Sequence, residues 1–348
     1  MSRRAATFSV AATLLAVLLL VTILIPVPYV ELSPGPTFNT IGSFQGKQLI
    51  TITKTTTFPT SGHLDMVTVS ETGGAYGGLT FGQALFGQLQ SGTVVLPRSL
   101  LYPANQTSDQ AQQQGAEEFT ASQSAAIGAA LHYLGIPVTE QVYVSSVVNG
   151  APASGKLHAG DVLLAIDGTK VVSADQVGTL VRAHHPGDRL TIEVDRDGDR
   201  VSVVVVTAKN PQDSTRTYIG ILGSTMFTGP FPIKFQLDDV GGPSAGLMFA
   251  LGIIDRLTPG PVNGGGFVAG TGTISPDGTV GAIGGIGQKV VAARVAGATL
   301  FLAPKQNCSD LAGVVQTGIT VAAVGNLVDA MNAIAAWRAG KAVVACQS

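Results

Sequence analysis

The chain has 348 residues, of which 45% are hydrophobic and 12% are charged, and its formal net charge is −2. This length and apolar content can bury a sizeable core and predict about two or three domains. The charge is close to neutral and no basic block is interleaved with aromatic residues, so nucleic acid is excluded as an expected partner. The five histidines are scattered without metal-ligand spacing. We therefore expect no metal site. No cofactor is expected either, because the partial phosphate-loop match at residues 150–157 ends in Leu157 and the loose dinucleotide pattern at residues 264–269 follows a loop instead of a strand.

Residues 1–30 are predicted to be a cytoplasmic N-terminus followed by a transmembrane anchor. Arg3 and Arg4 precede a stretch without charge that extends from Ala5 to Val30. About 20 apolar residues, each rising about 1.5 Å along a helix, match a hydrocarbon core about 30 Å thick. Because the arginines precede this stretch, the rest of the chain is expected outside the cytoplasm, on a single-pass protein of the cell membrane.

A cleaved signal peptide is the alternative to this anchor. The apolar stretch is long, and no small-x-small cleavage site follows it, which favours the uncleaved anchor. The paired arginines also resemble a twin-arginine export signal, which would leave the compartment unchanged.

Residues 31–137 are predicted to form a region of strands and helix. Two β-rich runs, LITITKTTTF and HLDMVTVSET, are joined by PTSG and predict a hairpin at about residues 49–72. The composition from Glu117 to Leu134 predicts a helix that ends at the following Gly135.

Residues 138–210 are predicted to form a separate module. The runs QVYVSSVV, DVLLAIDG, RLTIEVDRDG and RVSVVVV predict short strands, and SADQVGTLVRA predicts one helix among them. The stretch NGAPASGKLHAGDVLLAIDGTKV resembles PDZ domains. This resemblance implies that the module binds an extended peptide, which is added as a strand at an open sheet edge. YLGI, from Tyr133 to Ile136, is either that family's carboxylate-binding loop or only the end of the preceding helix.

Ser244 lies in the segment GGPSAG. The alternating FPIKFQLDD before it predicts a half-buried strand, and SAGLMFALGIIDRL predicts a buried helix whose first turn begins near Ser244. There the hydroxyl would lie close to unpaired N–H groups and the positive end of the helix dipole, which stabilise a developing oxyanion. The alternative is that Ser244 is only an N-cap within a turn.

A histidine base for this serine is disfavoured by chain order. Residues 242–246 match the G-x-S-x-G of α/β-hydrolases, but that fold places its histidine after the serine and the last histidine here is His185. A trypsin-like order requires His63 or His132 to reach Ser244, and the residues around the serine do not resemble that family.

Lysine is the remaining base. GGIGQKVVAARVAGATLFLAPK predicts a helix from Gly285 to Ala296, on which Lys289 shares a face with small apolar residues. Such a lysine serves as a base only if its pKa falls from about 10.4 to about 7–8. Burial and the nearby helix N-terminus both lower the pKa. The alternative is a lysine whose amine extends from the helix into water.

Together the two motifs resemble the proteolytic domain of Lon-type serine proteases. The family's nucleophile lies in GPSAG, which identifies Ser244, and its lysine lies in GG-x-x-x-K-x-x-A-A, which identifies Lys289. AGTGTISPDGTVGAIGG is similar to the family's strand pair, in which Thr271 corresponds to a threonine that hydrogen-bonds the lysine. The similarity covers residues 218–335.

The whole chain resembles bacterial, membrane-anchored, ATP-independent Lon-like proteases with a PDZ domain. This implies an α+β fold with a Lon-type domain at residues 218–348, a PDZ-like module inserted into it or preceding it, and one transmembrane helix. The run at 49–72 would then complete the catalytic sheet. The sequence has no ATPase motif, so the expected substrates are extracytoplasmic peptides or unfolded proteins. By analogy with Lon, the chain would form a hexameric homo-oligomer.

The residues around the serine are expected to support catalysis. Gly242, Pro243 and Ala245 flank Ser244, and backbone N–H groups of residues 242–245 are predicted to hold the oxyanion.

Two pairs of residues leave alternatives open. Asp238 and Asp239 either influence the site or end a solvated strand. Cys308 and Cys346 either form a disulfide in an oxidising compartment or remain free buried thiols.

The alternative function belongs to another class. The chain would be a membrane-anchored scaffold that binds peptides through its PDZ module, and its protease-like domain would be inactive.

Overall fold

The structure is a computed structural model that describes residues 3–74, 78–103, 106–196, 198–237, 240–314 and 317–346. Helix α1 (Arg3–Leu24) is long and apolar enough to cross a membrane, and none of its apolar window is buried inside the protein. Strand β1 (Pro26–Val27) follows α1 and pairs with β7 (Leu79–Thr80), which leads into helix α2 (Phe81–Leu89).

A six-stranded mixed sheet forms the centre of the main domain. In spatial order its strands are β22 (Thr320–Val324), β21 (Leu300–Pro304), β18 (Phe267–Gly270), β6 (His63–Gly73), β2 (Tyr29–Asn39) and β8 (Val94–Pro97). The strands from β22 to β6 are parallel to one another, whereas β2 is antiparallel to both β6 and β8. The sheet therefore combines strands from the first and the last parts of the chain.

Helices cover both faces of this sheet. One face carries α5 (Gly246–Leu257) and α7 (Leu327–Arg338), with α3 (Ser108–Tyr133) packed on α5, and the other carries α6 (Ile286–Ala296) and the 3-10 helix Lys305–Leu311. β21 illustrates the arrangement, because Leu300 and Leu302 enter the first core while Phe301 and Ala303 enter the second. Successive side chains of a strand point to opposite faces, so a strand between two helical layers is apolar throughout.

A second sheet with its own apolar core forms the PDZ-like module. In spatial order its strands are β13 (Asp199–Val206), β12 (Arg189–Arg196), β10 (Val162–Ile166), β9 (Thr139–Val147) and β16 (Ile221–Thr228), with β11 (Thr169–Lys170) beside β10 and helix α4 (Ala174–Arg182) packed on the sheet. The four predicted strands and the predicted helix are confirmed. The sheet also extends beyond the predicted end at residue 210, because β16 pairs with β9 along its whole length.

The predicted hairpin over residues 49–72 is wrong. Its first run contributes β5 (Ile50–Ile52), which pairs with β17 (Ile233–Phe235), and its second run is β6, which pairs with β2 and β18. The residues from Leu64 to Val67 are all buried, so β6 has apolar contacts on both faces only in the middle of a sheet. The remaining short strands are β3 (Ser43–Phe44), β4 (Lys47–Gln48), β14 (Ala208–Asn210), β15 (Asp213–Tyr218), β19 (Thr273–Ile274) and β20 (Val280–Gly281).

Two predicted element boundaries also differ from the structure. α3 begins at Ser108 instead of residue 117, and Thr107 and Gln110 form a capping box at its start. The first turns of α3 lack an apolar face, so periodicity does not reveal them. The strand predicted over residues 231–239 is confined to β17 within the described part of the chain.

A disulfide joins Cys308 to Cys346, with 5.0 Å between the two Cα atoms. The C-terminal segment lies along β22, where the Cys346 N–H donates to the Val321 carbonyl at 3.2 Å and the Ala323 N–H donates to the Val344 carbonyl at 2.8 Å. The disulfide therefore holds the end of the described chain at one edge of the main sheet.

Replacing both cysteines by serine is expected to lower the free energy of unfolding. The disulfide closes a loop with a sequence separation of 38 residues, and cross-links of this length stabilise a fold by about 4 kcal/mol through the unfolded chain. Urea unfolding of the detergent-solubilised chain measures the change. Dithiothreitol should shift the wild-type midpoint toward that of the double variant, and equal midpoints without reductant would contradict the expectation.

Candidate active site

Ser244 lies in a turn between Val240 and α5. Gly242 has a φ of +85°, a backbone conformation that glycine adopts without strain. The N-cap of α5 is Ala245, which makes no side-chain capping hydrogen bond, so the helix begins two residues after the serine. The N-cap alternative for Ser244 is therefore not what the structure has, and its hydroxyl is available for another contact.

That contact is with Lys289. The Lys289 Nζ atom lies 2.6 Å from the Ser244 Oγ atom, although the two residues are 45 positions apart in the chain. Lys289 belongs to the first turns of α6, where its N–H donates to the Gly285 carbonyl at 3.1 Å. A Cβ atom on Gly285 would lie 2.8 Å from a methyl carbon of Val69, so glycine lets α6 begin close against β6. The two motif residues are thus brought into hydrogen-bond contact.

Burial changes the chemistry of the lysine. Its side chain is only 3% exposed, so it does not extend into water as the alternative reading required. Desolvation disfavours the ammonium form and lowers the pKa of Lys289 to about 7. A large fraction of the amine is then neutral near pH 7 and can accept a proton.

Thr271 links the Lys289 amine to the turn of residues 241–245 that carries Ser244, which is called the nucleophile turn below. Its Oγ1 atom accepts a hydrogen bond from the Lys289 Nζ atom at 3.0 Å and donates one to the Ser244 carbonyl at 3.0 Å. The Gly272 N–H donates to the same carbonyl at 2.9 Å. Thr271 is fully buried and directly follows β18. The threonine therefore has two fixed partners, one on each side of the dyad.

Helix α3 holds the nucleophile turn from the opposite side. The Gly242 N–H donates to the Gly115 carbonyl at 2.8 Å, and the Ser122 hydroxyl donates to the Pro243 carbonyl at 2.9 Å. Sequence reasoning missed both contacts. The sequence offered no specific signal for them, because a Cβ atom on Gly115 would lie 3.6 Å from the Gly241 backbone, an ordinary van der Waals distance, so the contact does not require a glycine there.

These contacts narrow the choice of oxyanion donors. Among the predicted residues 242–245, the Gly242 N–H is already used by α3 and Pro243 has no N–H. Ser244 and Ala245 contribute the other two N–H groups of this segment. Asp238 and Asp239 lie outside the described residues.

The two histidines left open as bases do not reach the serine. His63 lies 3.2 Å from Asp65 and stacks on Phe267, and the His132 Nδ1 atom lies 2.8 Å from the Pro276 carbonyl. Neither histidine lines the cleft that contains Ser244.

A cleft of about 780 Å³ contains Ser244 and Lys289. One wall is the segment from Val67 to Glu71 of β6, and others are α3 and the loop from Leu101 to Pro103. β6 pairs with β18 only as far as Met66, so on that side the next residues have no strand partner in the described chain. The cleft therefore presents an open strand edge beside the serine.

The PDZ-like module has a second open strand edge. β16 pairs with β9 on one side, lies near α4, and ends the described sheet on its other side. The residues that lead into β16 read Tyr218-Ile219-Gly220, its first residue is Ile221, and Gly220 has a φ of +77°. The predicted loop from Tyr133 to Ile136 is wrong, because β9 after it is already paired with both β10 and β16. The recurrence of Tyr-x-Gly-Ile was the signal that could have found this second segment.

Comparison with known proteins agrees with the geometry. Residues 239–335 match the model of the Lon protease (S16) C-terminal proteolytic domain, and residues 122–207 match the model of the PDZ domain. The Lon protease of Clostridioides difficile is 47% identical over 70 residues, which are 20% of this chain and 9% of that protein. Lon protease 2 of Herpetosiphon aurantiacus is 43% identical over 89 residues, which are 25% of this chain and 11% of that protein.

These alignments cover about a tenth of the length of the two Lon proteases. Among solved structures, the PDZ domain of the SdrC-like protein from Listeria innocua is 28% identical, with 24% of this chain and 92% of that chain covered and a TM-score of 0.22. The chain is thus a Lon-like protein in which an S16-type proteolytic domain is combined with a PDZ domain and an N-terminal helix that is apolar enough to span a membrane.

Proposed function

We propose that the chain is a membrane-tethered serine endopeptidase that cleaves extended peptides with a Ser244–Lys289 dyad and without ATP. The observation that carries this proposal is the 2.6 Å contact between the Ser244 Oγ and Lys289 Nζ atoms, within a domain of proteolytic type. A buried amine beside a serine hydroxyl is the arrangement that activates a weak nucleophile.

The dyad would work by acyl transfer. The Ser244 hydroxyl donates its proton to the neutral Lys289 amine while Oγ forms a bond to the scissile carbonyl carbon. The carbonyl electron pair moves onto oxygen, where the Ser244 and Ala245 N–H groups are the proposed donors. When the intermediate collapses, the C–N bond breaks and the lysine returns the proton to the leaving amine. A water molecule then attacks the ester through the same base and restores the serine.

Thr271 is proposed to be a positioning residue for this reaction. Its hydroxyl proton is directed to the Ser244 carbonyl, which leaves its oxygen as an acceptor for the Lys289 amine. This contact holds the amine in place, and the lone pair of the neutral amine stays available for the serine proton.

The open edge of β6 supports an extended substrate. A peptide that adds as a strand along Val67 to Glu71 would lie in the cleft beside Ser244. Main-chain hydrogen bonds of this kind require a chain that is already unfolded. The substrates proposed here are therefore peptides and unfolded proteins, and the edge of β16 is the proposed second peptide site.

The location is proposed from α1 and the charges beside it. Arg3 and Arg4 are the first residues of the apolar helix and Glu31 follows it, which favours a cytoplasmic N-terminus and an extracytoplasmic protease. The disulfide between Cys308 and Cys346 is compatible with an oxidising compartment. A homo-oligomer, hexameric as in Lon, remains a proposal by analogy.

The scaffold is the second candidate function, and the open edge of β16 favours it. A scaffold would have no need for a desolvated amine next to a serine. The contact between Lys289 and Ser244 therefore makes the enzyme the better supported candidate.

Ser244→Ala and Lys289→Ala should each lower kcat/KM for an unstructured fluorogenic peptide by about 10³-fold or more, because each removes one half of the dyad. The assay uses the full chain in detergent without ATP. Ser309→Ala and Lys305→Ala, at exposed positions of the same domain, are the matched controls and should retain activity. Equal cleavage by the wild type and both dyad variants would disprove the dyad, and no cleavage of a broad peptide library by the wild type would favour the scaffold.

The pH profile should show the lysine as a base. Because the pKa of Lys289 is about 7, kcat/KM should decrease about tenfold per pH unit well below that value and level off above it. Enzyme incubated at pH 5.5 and returned to pH 8 should recover full activity, which separates titration from unfolding. A flat profile between pH 5.5 and pH 8 would argue against lysine as the base.

The same burial should make stability depend on pH. Lys289 has a pKa of about 7 in the folded chain and an ordinary value of 10.5. At pH values between these two, Lys289 carries a proton in the unfolded chain but not in the folded chain. Wild-type stability should therefore rise with pH above about 7, relative to Lys289→Met, by about 1.4 kcal/mol per unit. Urea unfolding at pH 7 and pH 9 measures this difference. Lys305→Met should show no such divergence from wild type, and a Lys289→Met difference independent of pH would contradict the burial argument.

A further inference from the structure

Helix α2 exposes an apolar face that the main domain does not cover. Phe81, Leu85, Phe86 and Leu89 are 42%, 55%, 69% and 80% exposed, and their spacing places them on one side of the helix. The opposite side packs on the domain through Gly87, where a Cβ atom would come within 2.4 Å of Glu31. The helix itself contains no charged residue. Large apolar side chains that are exposed together on one side of a helix mark a site of interaction.

Helix α2 is fixed to the end of α1. The Phe81 N–H donates to the Ile25 carbonyl at 2.9 Å, and a Cβ atom on Gly82 would lie 2.6 Å from a methyl carbon of Ile23. The 22 residues of α1 extend about 33 Å, which matches a hydrocarbon core about 30 Å thick. When α1 spans the bilayer, α2 therefore begins at its outer boundary.

The rim of the catalytic cleft is tied to the same place. The Arg98 N–H donates to the Pro28 carbonyl at 2.9 Å, and the Tyr102 N–H donates to the Arg98 carbonyl at 2.9 Å. Leu101 and Tyr102 line the cleft, and the neighbouring Leu100 is 68% exposed. Two hydrogen bonds thus connect the point where the chain leaves α1 to the edge of the cleft.

We propose that the apolar face of α2 lies in the lipid headgroup and acyl boundary, so that the cleft opens at the membrane surface and receives segments that emerge from the bilayer. This inference rests on the proposed membrane tether and endopeptidase activity. The substrate class would be extended segments that lie close to a membrane anchor, because the edge of the cleft is tied to the residues that follow α1.

A lipid surface fits this face better than a second copy of the chain does. The face begins at Phe81, which is hydrogen-bonded to Ile25 at the end of α1. The apolar stretch of α1 is not buried by the protein, so both surfaces meet the bilayer at one boundary. Because α2 has no charge, its insertion depends on apolar area and not on anionic lipids. The insertion of α2 into phosphatidylcholine bilayers should therefore be insensitive to the salt concentration.

Fluorescence quenching tests the position of α2 without catalysis. Leu89→Trp and, as a matched control, Val328→Trp on α7 are introduced into full-length Ser244→Ala protein in phosphatidylcholine vesicles. Val328 is 53% exposed and belongs to α7, which packs with α5 on one face of the main sheet. The native Trp337 signal is subtracted with the parent protein. Acyl-brominated lipid should reduce the added Leu89→Trp fluorescence about twofold or more and leave Val328→Trp unchanged.

Equal responses of the two positions would overturn the membrane assignment. A second copy of the chain would be the occupant of this face if two results were found together. Leu89→Trp would not be quenched by brominated lipid, and Phe86→Glu would lower the number of chains per particle in detergent. Neither outcome depends on peptide cleavage.

Cleavage in proteoliposomes tests the substrate class. One scissile sequence is supplied as a soluble peptide and as a lipid-anchored peptide with a spacer of about five or about forty residues. The wild type should prefer the short-spacer anchored peptide over the soluble one by about tenfold or more at equal bulk concentration. Phe86→Glu/Leu89→Glu should lose this preference and keep soluble cleavage within about twofold, as Val328→Glu should keep both.

Cleavage of the soluble peptide by Phe86→Glu/Leu89→Glu shows that this double variant is folded. If the double variant does not fold, the single variant Leu89→Gln is used in its place. No preference in the wild type would overturn the substrate class. If the wild type cleaved neither the soluble nor the anchored peptides, the proposed enzyme would be overturned instead, and the quenching result would stand.

Discussion

An ammonium group away from water is unfavourable, and the active site depends on how the fold keeps one amine in such a place. Lys289 is 3% exposed, and its Nζ atom has two hydroxyl neighbours, Ser244 and Thr271. Neither hydroxyl carries a charge that would stabilise the protonated form. The fold therefore gives up stability at this position, and the apolar contacts of α6 with the main sheet offset that loss. A local loss of folding stability is typical of sites in which a buried group is held in a reactive state.

The nucleophile turn is held from several directions because glycine and proline leave it few contacts of its own. The segment after β18 contributes Thr271 and Gly272, and α3 contributes Gly115 and Ser122. The three side chains of the candidate site thus come from the turn before α5, the residue after β18 and α6, whereas α3 supplies backbone and hydroxyl contacts. Such support keeps the serine oxygen close to the amine, and a shift of about 1 Å at this distance would break the hydrogen bond.

The sequence predicted that Ser244, Lys289 and Thr271 lie together, as they do in the structure, but it did not predict the contacts around them. Ser244, Lys289 and Thr271 lie in short motifs whose residue types and order carry the chemistry, so they could be named without a fold. Gly115 has no such signature, because its role depends on the hydrogen bond that its carbonyl accepts from the Gly242 N–H, more than 100 positions away in the chain. The hairpin at residues 49–72 failed for a related reason, since strand partners in a mixed sheet are chosen by burial on both faces and not by proximity in the chain.

Helix α3 has a consequence for how the two domains can be separated. Ser122 donates to the nucleophile turn, and Ser124, two residues later, accepts a hydrogen bond from the Phe227 N–H of β16 at 2.7 Å. One turn of helix therefore belongs to the protease and to the peptide-binding module at once, with no tether of free chain between them. An excision of the module would strip a buried partner from the helix that braces the serine. Lost activity in such a truncated protein could not be assigned to recruitment alone.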